Sequence, residues 1–88
     1  MSTQADRELK QFLEDRNQAL TAWVMNDDLS AVVSYCLNYG VGFPDDIDVL
    51  KLGMYKAALG VTNLPKEVHE TAKKKIEAFY AKLTEKYG

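Results

Sequence analysis

Residues 39–65 read YGVGFPDDIDVLKLGMYKAALGVTNLP, and the placing of glycine and proline in this run decides the fold. Gly40 and Gly60 each follow an apolar stretch of helical period, while Pro44 and Pro65 each precede another. Glycine adopts the left-handed conformation that closes a helix. Proline suits a first turn, whose N–H has no partner inside the helix. The punctuation therefore isolates one helix over about 45–59. On its left a helix ends at Tyr39, and on its right another opens at Pro65.

To the left, apolar residues recur at helical spacing over about 3–25 and again over about 27–39. The break between them is Asn26, Asp27 and Asp28. These are good cap residues, but no Gly or Pro accompanies them. A tight turn is the reading adopted, with Asp27 or Asp28 capping the second helix. One long bent helix is the alternative. Thr3 and Asp6 have the spacing of a capping box, which starts the first helix. Its stripe is Leu9, Phe12, Leu13, Ala19, Leu20, Trp23 and Val24, and that of the second is Leu29, Val32, Val33, Cys36, Leu37 and Tyr39. Val41, just past Gly40, is placed to fold back onto Cys36. To the right, Val68, Ala72, Ile76, Phe79, Tyr80, Leu83 and Tyr87 line the last helix, about 65–87.

The third helix differs from its neighbours. Only Asp48, Lys51 and Lys56 form a polar strip on it, and the rest is apolar. A helix apolar nearly all round is buried. It is expected to be the most buried of the four, or to serve an interface as well. Gly53 and Ala57, four residues apart, offer a flat spot for close helix approach. The predicted architecture is all-α: a compact four-helix bundle-like single domain spanning 1–88, with short loops that favour antiparallel neighbours.

Composition narrows function mainly by exclusion. The chain has 88 residues, 47% of them hydrophobic and 27% charged, with a net charge of -2. That is ordinary globular composition with no broad pull toward nucleic acid or anionic lipid. One Cys and one His build neither a disulfide framework nor a Cys/His metal site. No basic leader with an apolar core stands at the start, and no apolar run approaches the ~20 residues of a membrane span. A cytoplasmic protein is expected, with no cofactor or metal.

Few residues invite a chemical role. Arg16 lies in the middle of the first apolar stripe, flanked by Phe12, Leu13, Leu20 and Trp23. A buried charge needs a partner or a route to water. Either its stem covers the core and its guanidinium meets a carboxylate from another helix or an open end of the bundle, or it anchors an anionic ligand or a partner's carboxylate with Trp23 as a stacking surface. Asp45, Asp46 and Asp48 suit a helix N-terminus and lack the spacing of a calcium loop. His69 has no assignable nucleophile or orienting partner. Cys36, on an apolar face, reads as a small hydrophobe.

The run Lys73, Lys74 and Lys75 has Glu70 and Glu77 beside it, as on a solvated helix face. A helix-turn-helix over 55–68 is disfavoured, because its second helix opens at Pro65 with balanced charge. The loop 39–44 is the best recognition candidate: Tyr39 and Phe43 are aromatic types enriched at interfaces, and Tyr35 extends them. Tucking of these rings into the core is the alternative. The function expected is therefore a non-enzymatic interaction or assembly module. It would bind another protein or itself, most simply as a homodimer, through the third helix's surplus apolar surface and the 39–44 loop, with Arg16, Trp23, Tyr35, Tyr39, Phe43 and Tyr55 as candidate contact residues. Nucleic-acid contact through the last helix's lysines is the alternative. No membrane or small-molecule partner is indicated.

Overall fold

The computed structural model describes residues 3–87, with the side chain of Tyr87, placed on the last stripe from sequence, outside the description. Among the described residues the chain forms four helices and no strand: α1 (Gln4–Asn26), α2 (Leu29–Tyr39), α3 (Ile47–Gly60) and α4 (Lys66–Tyr87). The all-α bundle-like fold is as expected.

Each helix end has an identifiable chemical cause. The Thr3 hydroxyl accepts from the Asp6 N–H at 3.1 Å, and the Asp6 carboxylate accepts from the Thr3 N–H at 3.2 Å, completing the capping box. The break after α1 is a turn. Asp27 takes the left-handed conformation (φ 54°), which a short polar side chain tolerates better than most. Asp28 then caps α2, accepting from the Ala31 N–H at 3.2 Å and the Ser30 hydroxyl at 2.6 Å. Gly40 is left-handed at φ 64°, and the Val41 N–H reaches the Cys36 carbonyl at 2.9 Å. Asp46 caps α3, so that helix begins two residues later than the sequence reading. Gly60 differs from Gly40. It is the last helical residue of α3, and the cap position belongs to Val61, whose φ of −93° needs no glycine.

The helices pack around α1, which touches all three others, while α3 also packs on α4. Leu20, Trp23 and Val24 of α1 meet Val32 and Cys36 of α2, Leu50, Tyr55 and Ala58 of α3, and Leu64, Val68 and Ala72 around α4. The central helix is therefore α1. Length for length α3 is the most buried of the four, as expected, through Leu50, Tyr55 and Ala58, but it is not enclosed: Ile47 is 48% and Val49 55% exposed. Gly53 does not mediate a close approach either, since a Cβ there would meet nothing within 4 Å.

Asn17 on α1 meets Asn63 before α4, and Lys75 meets Asp27 at the far end of α1. Thus α4 runs alongside the second half of α1 in the same direction, offset along it. The first turns of α1 overhang one end of the molecule, and residues 3–11 are exposed. The radius of gyration, 14.3 Å, exceeds the about 12 Å of a compact domain of this length, and the long axis reaches 54 Å. Although α2 and α3 are consecutive, they are not close packing neighbours. The irregular segment 40–46 joins them, and each rests on α1.

Candidate functional site

Because α2 and α3 both pack on α1 without closing on each other, a cleft remains between them. Its volume is about 370 Å³. Phe12, Ala19 and Leu20 of α1, Val32 and Cys36 of α2, Val41, and Met54 and Ala57 of α3 make it largely apolar. Arg16 is the single charged residue lining it. The Arg16 guanidinium donates from Nε and Nη2 to the Asn17 side-chain oxygen at 3.2 and 3.1 Å. Asn17 in turn donates to Asn63 at 3.5 Å. No carboxylate pairs with Arg16 among the described residues, so of the two readings of its partner, the interhelical ion pair is not the one realised.

Beside the cleft the tertiary fold gathers residues that sequence had placed on separate helices. Phe12 lies 5.5 Å from Tyr35 and 5.0 Å edge-on from Tyr39, and the two tyrosine rings are 5.2 Å apart. The Tyr39 hydroxyl donates to the Asp15 carboxylate. That bond raises the Tyr39 phenol to about 12 and, with a second bond from Gln11, lowers Asp15. Burial pushes the Tyr35 phenol up, opposed by the field of Arg16. Burial also raises the Cys36 thiol, which keeps it a protonated, inert hydrophobe. Arg16, Tyr35 and Tyr39 thus belong together, joined by Phe12 and Asp15. Sequence singled out neither of those two as a site residue. Phe12 read as an ordinary stripe residue, and only the pairing of α1 with α2 brings it to the tyrosines.

Trp23 and Tyr55 do not join this group. They are 3% and 6% exposed and stack on each other at 4.9 Å, with Phe79 packed edge-on against Tyr55. Their assignment to a partner surface is corrected. They are the interior of the α1–α3 contact, and Trp23 offers Arg16's ligand no stacking face. The Trp23 indole N–H has no hydrogen-bond partner among the described residues. Phe43 lies exposed on the 40–46 segment with Val41.

A second, shallower groove follows the outer seam of α3 and α4. It has a volume of about 310 Å³ and is lined by Val49, Leu52, Gly53 and Leu83. Asp46 and Asp48 stand at one end of its α3 wall, and Lys56 stands about two turns along. Lys56 also lies 5.2 Å from the centre of the exposed Tyr80 ring. Lys86 pairs with Asp48 at 3.1 Å.

The remaining candidates serve the fold. His69 is half-buried and donates from Nε2 to the Val61 carbonyl at 2.7 Å, pinning α4 to the end of α3. Lys75 is not part of a freely solvated lysine face: its ammonium reaches the Val24 carbonyl and the Asp27 carboxylate. Lys66 pairs with Glu70 at 3.7 Å. Among the described residues no three His, Cys, Asp or Glu side chains are grouped to hold a metal, and no helix is long and apolar enough to cross a membrane. Comparison with known protein families, with curated proteins and with solved structures finds nothing that matches this chain.

Proposed function

We propose that this chain is a non-enzymatic helical interaction module that pairs with a second copy of itself along the α3–α4 seam. The observation that carries the reading is apolar surface left over on α3. Ile47 and Val49 are about half exposed, and Val49 continues into a groove with Leu52 and Leu83. Such a face loses contact with water when another molecule covers it, at roughly 25 cal/mol per Å² of apolar area.

The charges suit a copy of the same chain. Acidic residues stand at the start of α3 and Lys56 stands two turns on. A two-fold axis across the seam brings the acidic end of one copy toward Lys56 of the other, as a self-complementary interface requires. Nucleic-acid contact through α4 gains no supporting observation; three of its six lysines, Lys66, Lys75 and Lys86, engage carboxylates within the chain.

Light scattering across a concentration series tests the proposal. The expected result is a dimer whose mass falls to the monomer's in Val49→Lys and Leu83→Lys, with helicity by circular dichroism unchanged. A chain that remains monomeric at every concentration overturns it.

A further inference from the structure

Independently of self-association, we propose that the cleft between α2 and α3 is a binding site for a small amphipathic monocarboxylate, with the apolar tail in the cleft and the carboxylate on Arg16. Four observations converge on this ligand class. The volume, about 370 Å³, lies in the range of small-molecule sites, about 300–1,000 Å³. The lining is aliphatic and aromatic apart from Arg16, Tyr35 and the protonated Cys36 thiol. Such a surface takes up a hydrocarbon chain and offers little to a polar one.

The third observation is the state of Arg16. A guanidinium carries five N–H donors in a planar fork suited to a carboxylate. Asn17 accepts from Nε and Nη2, and the other donors have no protein acceptor among the described residues. The Asn17 amide is itself tied to Asn63, which holds the fork in place. The fourth is charge number. Arg16 is the single cation lining the cleft, and Asp15 adjoins it in sequence within a chain of net charge -2. That field accommodates a singly charged head and opposes a doubly charged phosphate.

The site is assembled from three helices, so no single stretch of the chain carries it. Its floor is α1, its walls are α2 and α3, and Val41 is carried to it by the turn at Gly40.

The test uses octanoate, octanol and octyltrimethylammonium as probes, with isothermal titration and heteronuclear NMR as readouts. Octanoate binds saturably at one per chain, with shifts at Ala19, Val32, Ala57 and Val61, and octyltrimethylammonium does not bind. Arg16→Gln weakens octanoate by about ten- to a hundredfold, the worth of a hydrogen bond to a charged group, and leaves octanol unchanged. Ala57→Leu leaves Arg16 in place and fills the cleft, and it abolishes binding of both octanoate and octanol. Circular dichroism checks that each variant keeps its helicity. The proposal is overturned by absence of saturable octanoate binding to the parent chain, by equal octanoate affinity in Arg16→Gln, or by retained octanoate binding in Ala57→Leu.

Discussion

Lys75, in the middle of α4, caps the C-terminus of α1 from outside that helix: its ammonium donates to the Val24 carbonyl and pairs with the Asp27 carboxylate at 2.8 Å. The last carbonyls of a helix have no internal partner and carry its negative dipole end, and α1 has no basic residue of its own in that turn. A cation supplied from α4 answers both needs and fixes how far α4 slides along α1.

Lys75→Ala is expected to lower stability by about 1–2 kcal/mol, mostly through the lost bond to the carbonyl. Asp27→Asn, which tolerates the left-handed turn and removes an exposed charge, costs under about 0.5 kcal/mol. Urea denaturation of the two variants gives the comparison. Equal losses would show that the ion pair, and not the carbonyl cap, is what matters.

Tyr39 and Asp15 make the fold's stability depend on pH at both extremes. The Tyr39 phenol is raised from 10.0 to about 12, so its contribution is complete below pH 10 and is lost as pH rises from there toward 12. The Asp15 carboxyl is lowered from 3.8, so its contribution is present above that value and is lost as pH falls through the lowered pKa. Tyr39→Phe removes the bond. It is expected to flatten the stability profile in both windows and to delete the phenol ionising near pH 12 from an ultraviolet titration. A tyrosinate titration indistinguishable from the parent's would refute the pairing.

Gly40 and Gly60 stand at similar places in the sequence pattern and should respond oppositely to alanine. Gly40 is left-handed, where an L side chain costs roughly 1–2 kcal/mol. Gly60 is helical, and a Cβ there meets nothing within 4 Å, so Gly60→Ala stabilises by about 0.5–1 kcal/mol. Thermal unfolding should place Gly40→Ala below the parent and Gly60→Ala above it. The reverse order would contradict the assignment of the two helix ends.

Trp23 stacks on Tyr55 with its indole N–H buried and without a partner among the described residues. Trp23→Ala empties the α1–α3 contact and should cost about 3–5 kcal/mol. Trp23→Phe keeps a ring and deletes the orphan donor, whose burial itself costs about 1–3 kcal/mol, so its net loss should be near 1–2 kcal/mol. Chemical denaturation of both variants checks the difference. Equal losses would mean that the N–H contributes rather than costs.

The four helices, the capping box at Thr3, the turn at Asp27 and the left-handed Gly40 are written in local sequence. Caps and helical period depend on residues within four or five positions of one another, so no distant contact is needed to read them. Tertiary packing alone decided which helix lies at the centre. Nine apolar residues on α3 suggested that it would be enclosed, but α1 is the helix that packs on all three others, while α3 rests on α1 and α4 and leaves Ile47 and Val49 about half exposed. The candidate site divides the same way. Arg16 stands out in sequence as a charge within an apolar stripe. Its freedom from a carboxylate, its cleft, and the departure of Trp23 and Tyr55 into the core follow from helix registers that depend on side-chain shape across more than thirty residues of chain.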